Sequence, residues 1–67
     1  MLAVRHYPIR IDNSLAAYRA IRLIREAGDR ALHRARIELM EARIRGNTRG
    51  VLMGEAILKE VRTRLAQ

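Results

Sequence analysis

The sequence contains no cysteine, no tryptophan and no phenylalanine, and its only aromatic residues are two tyrosines. The absence of cysteine excludes disulfides and cysteine-based zinc sites, two of the usual ways in which very short chains gain stability. The two histidines, His6 and His33, are far apart and show no metal-ligand spacing. We therefore expect neither a metal ion nor a cofactor.

Long apolar runs are also missing. No run approaches the roughly 20 residues that cross a bilayer, and Arg5, His6 and Arg10 interrupt any secretory leader. Membrane-surface binding is disfavoured as well, because the apolar face of residues 15–31 consists largely of alanine and has no Trp or Phe. The sequence predicts a cytoplasmic protein with no membrane contact.

The sequence also lacks any recognisable pattern of catalytic residues. The carboxylates stand on predicted helix surfaces beside arginines, which makes them poor general acids. Residues 46–50 lack the spacing and the Lys-Ser/Thr pair of a phosphate-binding loop, and Ser14 is better explained as a helix cap. We expect a binding protein that is not an enzyme.

Positive charge is what the sequence has in excess. Fourteen Lys and Arg residues face seven Asp and Glu residues, which gives a net charge of +7 on 67 residues. Such a field attracts nucleic acid, an anionic surface or an acidic protein. The Ala, Leu, Ile and Arg content favours helices, and the length allows one small domain with a marginal core.

Four segments divide the predicted single domain, 1–67. Residues 1–12 lack helical periodicity and alternate at residues 9–11, which predicts an extended basic arm or a short strand. Residues 13–45 form one long helix or two helices broken near Gly28. Residues 46–50 form a loop, and residues 51–66 form a C-terminal helix. The expected fold is therefore mainly α, a small two- or three-helix domain with an extended N-terminal arm.

The glycine at position 28 leaves two alternatives open. It is either tolerated within one helix or ends the first helix, with Asp29 capping the next. The first helix has a predicted apolar side in either case. That side consists of Ala17, Ala20, Ile21, Ile24 and Ala27.

Two apolar faces are predicted for residues 31–44. One carries Ala31, Leu32, Ala35, Leu39 and Ala42, and the other carries Ile37, Met40 and Ile44. Because so short a chain can hardly cover both, we expect an intertwined or helix-packed dimer. The alternative is that both faces are filled within the monomer. The predicted interface residues are Ile37, Leu39, Met40 and Ile44.

Many helix charges are matched four residues apart, which is typical of a solvated face. These pairs include Arg22 with Glu26, Arg34 with Glu38, Glu41 with Arg45 and Glu60 with Arg64. The arginines near the arm and the loop are the candidates for contact with phosphates, because a guanidinium offers a planar fork of donors. They are Arg5, Arg10 and Arg19 near the arm, and Arg43, Arg45 and Arg49 near the loop.

A basic alternating arm, a capped helix, a glycine and a second helix form an order of elements that resembles the layout of ribbon-helix-helix repressors. The resemblance would make residues 9–11 the strand that enters the DNA major groove, with Arg10 as the base contact. Pro8 and a third helix depart from that layout. The leading hypothesis is a dimeric DNA-binding regulator. The alternative is an adaptor or inhibitor that binds an acidic protein, or a structural subunit of a larger assembly.

Overall fold

The computed structural model describes residues 13–66, nearly all of them helical. Three α-helices follow one another, α1 (Asn13–Ala27), α2 (Ala31–Arg45) and α3 (Thr48–Leu65). A 3-10 turn (Gly28–Arg30) separates α1 from α2, and no strand occurs within residues 13–66. The mainly α prediction is confirmed. The predicted arm or strand at residues 1–12 lies outside the described residues.

Gly28 breaks the first helical segment. Its φ angle is +58°, in the left-handed region that is unfavourable for residues with a Cβ atom. The amide of Ala31 donates to the carbonyl of Gly28 and closes the turn. The expected cap at Asp29 is not formed, since Arg30 directly precedes α2 and makes no side-chain cap hydrogen bond. The chain therefore has two helices here, joined through backbone geometry.

The connection between α2 and α3 is tighter than the predicted loop at 46–50. Gly46 has a φ of +69°. Its amide donates to the carbonyl of Arg43, and the amide of Asn47 donates to the carbonyl of Ala42. This pattern is a Schellman motif. The Asn47 side-chain oxygen then accepts from the Gly50 amide at 3.0 Å. Because Asn47 caps α3, that helix begins at Thr48, three residues before the start that the apolar pattern predicted.

The core lies where α3 crosses the other two helices. α3 packs extensively on both α2 and α1, which contact each other less. Small side chains dominate the buried positions, so the helices approach closely but bury little apolar area. Those positions are Ala16, Ala20, Leu23, Ala31, Ala35, Leu39, Ala42, Ile57 and Val61.

The buried side of α1 matches the predicted one in part, because Ala20 is buried and Ile24 and Ala27 pack against the core. Ala16 and Leu23 are buried with Ala20, whereas Ile21 is 38% exposed. The centre of the buried side is therefore turned around the helix axis toward Ala16 and Leu23 and away from Ile21. Alanine at the contact lets α1 approach Ile57 and Val61 of α3 more closely than Ile21 would allow.

Candidate interaction surfaces

An apolar row lies on the outward side of α2, which we call the α2 stripe. It consists of Ile37, Met40 and Ile44, which are 39%, 58% and 77% exposed. Spacings of three and four residues place them on one side of the helix. The opposite side of α2 is buried against the rest of the domain. Within residues 13–66 the stripe is left partly open, and its exposure rises from Ile37 to Ile44.

Leu39 differs from the three residues with which it was grouped as an interface. It is only 5% exposed and lies against Gly54 of α3. Its side chain therefore belongs to the intramolecular core and is not available to a second subunit. The two-faced pattern of α2 stands, but Leu39 is on the inward face.

The predicted phosphate contacts are spread over the molecule. Arg5 and Arg10 lie outside the described residues. Arg19 is exposed on α1, Arg43 and Arg45 are exposed in the last turn of α2, and Arg49 is exposed in the first turn of α3. The loop cluster is therefore divided by the turn at Gly46 and Asn47.

Arg19 and Arg45, from different predicted clusters, line the same groove. This groove, of about 250 Å³, runs between α2 and α3 with Gly54 and Ile57 among its lining residues. Glu38 and Glu41 line it too. Two carboxylates among two guanidiniums leave the groove with little net charge, so it offers no concentrated anion site.

Arg43 is not the unmatched base that local spacing suggested. Its Nη2 atom lies 3.5 Å from Oε2 of Glu55 on α3, and both side chains are more than half exposed. Twelve residues separate the two in sequence, so only the packing of α2 on α3 brings them together. The pair reduces the charge that Arg43 presents to a ligand.

Tyr18 marks a surface on α1 that the sequence analysis missed. It is 57% exposed and shares a shallow surface with Ile21, Arg22 and Arg25. Arg22 donates to Glu26 at 3.1 Å, and this hydrogen bond raises the pKa of Arg22 above its ordinary value. The signal available in sequence was a tyrosine four residues before an arginine on a helix, a spacing that places both on one side.

Most described arginines have no ion-pair partner. Within residues 13–66 the carboxylate pairs are Arg22 with Glu26, Arg43 with Glu55 and Arg64 with Glu60. The expected pairs of Arg34 with Glu38 and Glu41 with Arg45 do not form, as is common for solvated side chains. Eight exposed arginines have no carboxylate of residues 13–66 within 4 Å. They are Arg19, Arg25, Arg30, Arg34, Arg36, Arg45, Arg49 and Arg62.

The described part of the chain has neither a metal site nor a membrane-spanning helix. No group of three or more His, Asp or Glu side chains there is arranged to hold a metal ion. None of the helices there combines the length and apolarity that a membrane span requires.

Comparison with known proteins gives no relative: no family model, no curated protein and no solved structure matches the chain. Function must therefore be argued from the surfaces themselves.

Proposed function

We propose that this chain is a small, non-enzymatic DNA-binding regulatory protein of the cytoplasm that acts as a homodimer. The observation that supports the proposal is a set of eight exposed arginines that form no ion pair with any other described residue and lie on all three helices and the turn between α1 and α2. Such guanidiniums are free to bind phosphate oxygens, and each phosphate that they neutralise releases counterions. Arg5 and Arg10 would add to this charge, with Arg10 as the groove contact.

Salt dependence tests the proposal directly. Binding of the purified protein to a mixed-sequence duplex is measured at two salt concentrations, with its mass taken by light scattering on the same sample. We expect the logarithm of the affinity to fall with the logarithm of salt with a slope of about −0.9 per neutralised phosphate. A protein that fails to bind duplex DNA at low salt would refute the proposal despite its charge.

A second function is favoured by one specific observation, the exposed α2 stripe. A protein-binding adaptor, inhibitor or structural subunit would use Ile37, Met40 and Ile44 as apolar anchors and the surrounding arginines for an acidic partner. Under this alternative, Met40→Asp removes partner binding, and the affinity changes little with salt. Under the leading proposal, the same variant weakens DNA binding only as far as it prevents dimerisation.

A further inference from the structure

The α2 stripe has the register of a short coiled-coil seam. Positions 33, 37, 40 and 44 alternate in steps of four, three and four, which is the spacing of seam positions in a heptad. Ile37 and Ile44 occupy one class of seam position and Met40 the other, with His33 at the N-terminal end. In parallel coiled coils, β-branched residues at the first class favour two strands when leucine occupies the second. Here the first class holds Ile37 and Ile44, and the second holds Met40 and His33.

Charges beside the stripe distinguish the two possible orientations of a second copy. In a parallel pair, a residue beside the seam faces the residue five positions later in the other copy. Arg36 then faces Glu41 of the second copy, and by symmetry this attractive contact occurs twice. Arg43, the next base on that side, faces no residue of α2 in the second copy, because the position five residues later lies beyond the end of that helix.

An antiparallel pair is electrostatically less favourable. It makes an attractive contact between Arg34 and Glu41 of the second copy, and by symmetry this contact also occurs twice. It also brings Arg36 opposite Arg43, and this like-charge contact occurs twice. The exposed positions beside the seam therefore select the parallel arrangement.

We propose that two copies of this chain pair in parallel and in register through the α2 stripe. Contacts between Arg36 of each copy and Glu41 of the other favour this register. The inference rests on the homodimer part of the proposed function and adds its orientation and register. The stripe has three apolar side chains within eight residues of α2, little more than one heptad, so the area that it can bury is small beside the ~800 Å² per partner of a standard interface. We accordingly expect a weak dimer that forms at high protein concentration.

Disulfide capture tests the register, because the chain has no cysteine of its own. Ile44→Cys places two thiols side by side in the parallel pair. In the antiparallel pair they lie about 16 Å apart, eleven residues along the helix axis at 1.5 Å each. We expect mild oxidation to link Ile44→Cys into dimers but not Tyr18→Cys, an exposed control on α1. Absence of the link, or equal linkage of both variants, would overturn the proposal.

Matched substitutions test the surface and the orientation. Ile37→Asp should raise the dimer dissociation constant by more than about tenfold, because it buries an unpaired carboxylate. Ile21→Asp, with nearly the same exposure on α1, should leave that constant unchanged. Arg36→Glu should weaken the parallel dimer, and adding Glu41→Arg should restore it. An Arg36→Glu variant that associates more tightly or unchanged would overturn the parallel register.

These measurements are made without nucleic acid, so their outcome is independent of DNA binding. A parallel dimer that does not bind DNA would leave the inference standing and refute the DNA-binding proposal. A DNA-binding protein that stays monomeric across concentrations would refute the inference and the homodimer part of the proposed function, and would leave the DNA-binding part standing.

Discussion

Leu39 of α2 packs so closely against Gly54 of α3 that a Cβ atom placed on the glycine lies 3.1 Å from Leu39 Cδ1 and 3.4 Å from Leu39 Cα. The first distance is shorter than an ordinary van der Waals contact, so the absence of a side chain at position 54 sets the separation of the two helices. The contact is also what removes Leu39 from the outward surface.

Larger side chains at position 54 should lower the free energy of unfolding in proportion to their size. Gly54→Leu forces α2 and α3 apart, and we expect a loss of about 2 kcal/mol or more. Gly54→Ala should be nearly neutral, because about 1 kcal/mol of gained helix propensity offsets the crowding of Leu39. Urea denaturation of both variants checks the series. A fully stable Gly54→Leu protein would contradict this packing of α2 on α3.

Gly28→Ala should destabilise the protein although the space around Gly28 is open. A Cβ there meets no atom within 4 Å, but the φ angle of +58° is unfavourable for alanine. We expect a cost of about 1–2 kcal/mol. Gly28→Asn, which tolerates this conformation better, serves as the control and should cost less. A stabilising effect of alanine would mean that α1 and α2 form one continuous helix.

Removing the cap of α3 should lower stability without altering the core. Asn47→Ala loses the hydrogen bond that the Gly50 amide donates at 3.0 Å, and we expect a loss of about 1 kcal/mol. Asn47→Asp keeps an acceptor at the positive end of the helix dipole and should retain most of the stability. Thermal unfolding by circular dichroism measures both. Equal losses in the two variants would show that the side-chain acceptor does not matter.

Two arginines beside the same turn should contribute differently to DNA binding. Arg49 has no ion pair within the described residues, whereas Arg43 is held by Glu55. Arg49→Ala should weaken duplex binding and reduce the salt slope by about one. Arg43→Ala should have a smaller effect, because Glu55 already offsets its charge. Titrations at several salt concentrations compare the variants, and an equal effect of both would contradict a role for the Arg43–Glu55 pair.

The sequence predicted α2 and α3 better than α1. In α2 the strong apolar residues Leu39, Ile37 and Ile44 fall on opposite sides, so both faces could be assigned from periodicity. In α1 the large apolar residues Leu15, Ile21, Leu23 and Ile24 are distributed around the helix, so they do not mark one side. The prediction included Ile21, which is exposed, and left out Ala16 and Leu23, which are buried.

Local sequence patterns could not predict contacts between residues that are distant in sequence. Arg43 pairs with Glu55, and Arg19 and Arg45 line the same groove. Both relationships depend on how α2 packs on its neighbours. The break at Gly28 could be named only as one of two alternatives, because both leave the apolar periodicity in phase. The backbone angle decided between them, and no side-chain pattern encodes that angle without ambiguity.

The central position of α3 has a consequence for how the chain is made. α1 and α2 contact α3 more than they contact each other, yet α3 is synthesised after both. On the ribosome the two earlier helices have no surface on which to bury their alanine-rich sides, and isolated helices of this length are marginal in water. Folding must therefore wait for the emergence of α3, which makes the nascent chain a substrate for chaperones and proteases until that moment.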